Sequence, residues 1–368
     1  MDPCPAAKAR KVEPRPFEVF PFVVGREYTP HVAELVFGAL ERGGHWETLV
    51  KCRLVCSAWR TTVDTKTRFW GDLDRRLILK AAAQGRMDIF RKIIANASEK
   101  NPTVTWLNET ALHIAAKEGH FDICKLIVDN LQGATEINPA DYYGRTPLHG
   151  AASNGHFQIC QLIIENVTDK NPKGEVGRTP LHHAACNGHL EICQLIINVV
   201  EDKNPSGHTG MTPLHHAAGY GHLDICRLIL EHIEDRNPGN DAGSTPLHDA
   251  AFEGHFEICQ TIIAVVDDKN PARTDGWTPL HLAAQGQLDI CRLIIDNVQD
   301  KNPADENGWT PLHIAAEQGH HDICQIIIEN VETKNPTDEN GDTPLKIAIE
   351  NEHSTIIRLI KEQLGDTT

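Results

Sequence analysis

The chain of 368 residues holds 51 Asp/Glu against 35 Lys/Arg, and the surplus is uneven: residues 1–70 carry 11 Lys/Arg against 8 Asp/Glu, the rest 24 against 43. A long C-terminal part this acidic repels phosphate backbones, which argues against a nucleic-acid partner and for steering of a basic protein. No stretch approaches the roughly 20 apolar residues a membrane span needs, and the opening Met1-Asp2-Pro3-Cys4-Pro5 has no apolar secretory core, so the expected setting is cytoplasmic and/or nuclear with no membrane partner.

Residues 1–27 are rich in Pro and charge and read as a disordered or loosely packed arm. Residues 28–72 have a different composition. Thr29-Pro30-His-Val-Ala-Glu-Leu35-Val36-Phe37-Gly-Ala-Leu40 is followed by a segment around Leu49, then by Cys52-Arg-Leu54-Val55-Cys56-Ser-Ala-Trp59, closing on Phe69-Trp70. This segment resembles an F-box, a three-helix module. The resemblance implies docking on a Skp-family adaptor of a cullin-RING ubiquitin ligase, with Val36, Phe37, Leu40, Leu49, Leu54, Val55 and Trp59 as apolar anchors in a helix-in-groove contact. The same residues also suit a helical cap that seals the first unit of the C-terminal part, and both readings stand.

From residue 73 to 368 the chain repeats itself. Thr-Pro-Leu-His begins at Thr146, Thr179, Thr212, Thr245, Thr278 and Thr310, with Thr110-Ala-Leu-His before and Thr343-Pro-Leu-Lys after, at intervals of mostly 33 residues. Period and pattern resemble the ankyrin repeat. The implied fold is all-α: a solenoid of helix-turn-helix units, about nine of them, with atypical ends. Physical chemistry explains the parts. Thr179 caps a helix N-terminus and Pro180 takes the first helical position, where a missing N–H costs nothing. Ala184 and Ala185 let neighbouring helices approach. Gly188 suits a left-handed turn. Leu190–Ile197 offers one broad apolar face, and Asn204-Pro205 ends the unit. Each unit exposes an apolar face of its own, so stability has to come from stacking. Phe90 and Ile357 take the recurrent cysteine position in the first and last units.

Two recurrences invite a chemical reading. Cys124, Cys160, Cys193, Cys226, Cys259, Cys291 and Cys324 form a ladder, one rung per unit, without any Cys-x-x-Cys pair. Stacked helices lie about 8–10 Å apart, beyond the reach of a disulfide, so these read as small buried apolar residues. The histidines His149, His182, His215, His248, His281 and His313, and the second series His120, His156, His189, His222, His255 and His320, recur with the unit and therefore serve it, through hydrogen bonds to adjoining turns. No metal, cofactor or catalytic residue is assigned: the chain shows no nucleotide loop, metal-binding helix or nucleophile elbow, and it reads as a binding protein, not an enzyme. The seventh unit, Ala283-Ala284-Gln285-Gly286, is one residue short, so its first helix should end early.

The units serve as controls for one another. The positions that vary between them fall on the turn tips and first helices, which line the concave binding face in ankyrin proteins. Tyr142, Tyr143, Arg145, Arg178, Met211, Trp277 and Trp309 stand at the tips, His183 and His216 follow the framework His, and Tyr220 and Phe252 lie at first-helix ends. Trp, Tyr and Arg are the residue types enriched in binding hot spots. These eleven are the expected target-binding residues. The whole then reads as a substrate-recognition subunit of a ligase, or alternatively as a scaffold whose N-terminal helices only cap the solenoid.

Overall fold

The computed structural model describes residues 67–95, 99–103, 105–131, 133–174 and 176–365. The expected arm and the anchors Val36, Phe37, Leu40, Leu49, Leu54, Val55 and Trp59 lie outside them. Leu73–Thr368 separate as one unit of packing.

The helices come in pairs, an inner one followed by an outer one. They run α1 Thr67–Ala83 and α2 Met87–Ile94; α3 Ala111–Lys117 and α4 Phe121–Asp129; a short α5 Ala134–Ile137; α6 Pro147–Ser153 and α7 Phe157–Asn166; α8 Pro180–Cys186 and α9 Leu190–Ile197. Then come α10 Pro213–Gly219 and α11 Leu223–Leu230; α12 Pro246–Glu253 and α13 Phe256–Ile263; α14 Pro279–Ala283 and α15 Leu288–Ile295; α16 Pro311–Gln318 and α17 His321–Asn330; α18 Pro344–Glu350 and α19 Ser354–Leu364. From α3 onward inner helices pack on neighbouring inner helices and each pair on itself, and from α2 onward outer helices pack on outer ones. No strand occurs among the described residues; a single bridge joins Thr103 and Thr110.

The core is the repeat read sideways. Leu181, Ala184, Ala185, Ile192, Cys193 and Ile196 are buried, as are their counterparts in the neighbouring units, whereas Leu195 is half-buried. The ladder cysteines are buried free thiols, and burial pushes them up to about 12, so they are un-ionised at neutral pH. Phe90 is fully buried at the equivalent site of the first pair, while Ile357 in the last pair is half-buried, as an end rung with a neighbour on one side.

The turn tips join as well. Each folds back through a bond such as Gly207 N–H to the Met211 carbonyl, 2.9 Å, and hangs on the tip before it through one such as His208 N–H to the Val176 carbonyl, 3.1 Å. Between inner and outer helices the turn needs Gly for two reasons. Gly188 sits at φ 77°, and a Cβ there would lie 2.7 Å from Cε1 of His222 in the next pair. The seventh pair departs as expected: α14 has five residues against seven or eight in the other Thr-Pro-Leu-His units, and Gly286 takes φ 145°.

Candidate protein-binding face

The recurring histidines are consumed by the framework. His182 Nδ1 accepts the Thr179 backbone N–H at 3.0 Å and lies 2.9 Å from Thr179 Oγ1, while Nε2 donates to the Met211 carbonyl of the next tip at 3.1 Å. A backbone N–H only donates and a carbonyl only accepts, so the ring is neutral with its proton on Nε2. His113, His149, His215, His248, His281 and His313 repeat the arrangement. Burial agrees, pushing His149, His215 and His248 down to about 4 and His182 to about 3. The second series ties each unit to the one before: His222 Nε2 bonds the Cys186 carbonyl at 3.1 Å.

Two further framework devices went unread in the sequence. The Asn of each Asn-Pro accepts the Leu N–H at the start of the next inner helix, as in Asn204 Oδ1 to Leu214 N at 3.0 Å. The preceding Lys caps the outer helix: Lys269 Nζ donates to the carbonyls of Ile263 and Val266 at 2.8 and 3.2 Å, and Lys170 and Lys203 do likewise in their units. The signal available was the recurrence of Lys-Asn-Pro itself.

With the framework satisfied internally, the variable set divides into exposed residues and residues packed on the array. Tyr142 and Tyr143 meet edge to face with centroids 5.3 Å apart, and Arg145 lies 5.1 Å over Tyr143 while its Nε bonds the buried Asp141 at 3.0 Å. Trp106, which the repeat pattern did not single out, holds the same tip position one unit earlier and is 87% exposed. Arg178 is exposed and His183 half-buried, its ring edge-on to His149. Met211 is half-buried, its sulfur 3.2 Å from Asn240 Nδ2.

Trp277 and Trp309 are half-buried and engaged within the array. Each indole stacks on the histidine four residues on, His281 or His313, and donates Nε1–H to the next tip, to Asp305 Oδ2 at 3.0 Å and Asp338 Oδ2 at 3.1 Å. They form no uninterrupted apolar strip, because an Asp lies between them. His216 is buried against His182, while Tyr220 and Phe252 are exposed at 62% and 51%. Beside them stands Asp249, the counterpart of His216 one unit later. Its charge at an inner-helix position was visible in the sequence, but the withdrawal of its Oδ2 from solvent was not. In units seven and eight that position is apolar and buried, as Leu282 and Ile314.

A family model of ankyrin repeats (three copies) matches residues 78–174, 151–238, 233–305 and 286–367. The chain belongs to the ankyrin-repeat family. That membership implies a protein-binding role for the array. The ankyrin match begins at residue 78, so residues 1–77 lie outside it. No curated protein matches the chain. Among the described residues of the ankyrin array, no helix is long and apolar enough to cross a membrane.

Proposed function

We propose that this ankyrin array holds a protein target on its concave, inner-helix face, and that residues 28–72 dock on a Skp-family adaptor, making the chain a substrate-recognition subunit of a ubiquitin ligase. One observation supports the first half above others. Framework histidines, threonines and asparagines find partners inside the array, whereas the exposed aromatics Trp106, Tyr142, Tyr220 and Phe252 vary from unit to unit and cluster on the tips and inner-helix ends. A residue that neither recurs nor packs has no framework task. The second half rests on the sequence of residues 28–72, with its Val55-Cys56-x-x-Trp59 element and closing Phe69-Trp70.

The test joins both halves. Full-length protein is expected to capture a Skp-family adaptor and to lose it with Leu54→Asp and Val55→Asp, while Tyr142→Ala with Tyr220→Ala reduces target capture without touching the adaptor. Retention of the adaptor by the double Asp variant overturns the ligase reading. The restriction of the family match to residues 78–367 favours a second reading, a scaffold without ligase function; it predicts target binding that survives deletion of residues 1–72 and no dependence of target ubiquitination on them.

A further inference from the structure

We propose that Asp249, with His216, Tyr220 and Phe252, forms a pocket that takes an arginine side chain of the bound protein. The inference rests on reading the inner-helix face as the binding surface.

Asp249 lies in the first turn of α12 and His216 at the same place in α10. Asp249 Oδ2 and His216 Nε2 are both withdrawn from solvent with no hydrogen-bond partner. An unpartnered buried polar atom is destabilising, and two in adjacent units at one register position are not framework, because the position varies: other units carry Gly150, His183, Leu282 and Ile314 there. A Cβ on Gly219, at the end of α10, would stand 3.5 Å from the Asp249 Cβ, so the helix end lies against the base of the Asp249 side chain. Tyr220 comes directly after it. Phe252 lies three residues after Asp249, on the same helix face. Both rings are exposed, at 62% and 51%.

A carboxylate with two exposed aromatic side chains next along its own helix and at the end of the neighbouring one selects a cation over an anion, through a charge-assisted hydrogen bond and cation–π attraction. A guanidinium fits better than an ammonium, since it bonds a carboxylate through its planar edge while stacking on a ring. The Asp249 charge has no committed cationic partner. Ser244 offers the carboxylate a hydrogen bond, but a neutral hydroxyl balances no charge. Of the two charged neighbours it feels, Glu253 opposes it and Arg273 is bound to Asp275 with its guanidinium 5.9 Å from the Trp277 ring. Burial pushes the Asp249 carboxyl up to about 7.

The test is an NMR titration of the isotopically labelled full chain with acetyl-Ala-Arg-Ala-amide and with its citrulline counterpart, which keeps the shape and loses the charge. Expected are saturable shifts at the Gly219, Tyr220 and Phe252 amides, with citrulline at least about fivefold weaker. Asp249→Asn should erase the preference for arginine. Tyr220→Ser and Phe252→Ala, at exposed positions that leave folding intact, should each weaken arginine binding by about threefold. Equal response to citrulline, an unchanged preference in Asp249→Asn, or no saturable shift at these amides overturns the pocket. That failure is distinct from failure of the wider face, which falls only if target capture survives Tyr142→Ala with Tyr220→Ala.

Discussion

At the scale of one residue, the inner-helix histidine is the piece on which each unit turns. A single ring closes the N-terminus of its own helix and clasps the next tip. His182→Ala leaves the Thr179 N–H and the Met211 carbonyl without partners and opens a void; the expected loss is about 2–4 kcal/mol in urea unfolding, against under about 0.5 kcal/mol for an exposed control such as Glu201→Ala. A loss no larger than that of the control would remove the clasp from the account. The same rings set a pH dependence. His149, His182, His215 and His248 titrate near 3 to 4 in the folded chain against an ordinary 6.5, because burial disfavours the cation. Below 6.5 the unfolded chain takes up protons that the folded chain refuses, so their stability is intact above 6.5 and drains as pH falls toward 4. The melting temperature is expected to drop by on the order of 10 °C between pH 7.5 and pH 5. A flat profile over that window would mean the rings are charged when folded.

At the scale of the element, the helix pair was legible because its signals are local. Thr-Pro marks a start, paired Ala a close contact, Ile-Cys a buried outer face, and Asn-Pro a stop; each acts within a turn of its own position. What stayed hidden acts across ten residues or across units. Asn204 reads as a terminator, yet its side chain reaches Leu214 N–H at the start of the next inner helix. Lys203, which carries no signal of its own in the sequence, caps the Ile197 and Val200 carbonyls. Trp277 and Trp309 read as surface because they do not recur, whereas their indoles bond aspartates 28 and 29 residues on, a pairing that only stacking creates. Asn204→Ala therefore severs a tie between an outer loop and the following helix, and is expected to cost about 1–2 kcal/mol by chemical denaturation. A helix stop alone, with Pro205 retained, would lose almost nothing, so the size of the effect separates the two roles.

At the scale of the whole array, stability is a sum over units and junctions, so the weakest junction decides where it opens. Seven units are tied backward by a histidine that reaches a carbonyl of the preceding inner helix, from His120 to His353. In the seventh unit Gln287 fills the same space under Gly254 but makes no such bond among the described residues, and α14 ends after five residues with Gly286 at φ 145°. Losing one buried hydrogen bond and part of a helical turn weakens the junction of units six and seven by about 1–2 kcal/mol relative to its neighbours. Hydrogen exchange on the full chain should accordingly show α14 and α15 exchanging faster than α10 to α13 or α16 and α17. Inserting an Asn after Gln285 together with Gln287→His restores both the unit length and the imidazole, and should bring protection in α14 and α15 level with the other internal units. If exchange is already uniform in the natural sequence, or if the repaired chain exchanges no more slowly, the short unit is an accommodated deletion and the array opens elsewhere. The location matters for binding, because Asp249 and Phe252 stand on α12, one unit before the break. A target gripping the array on both sides of that junction would draw on its freedom to adjust, and exchange in α14 should then slow when the target is bound.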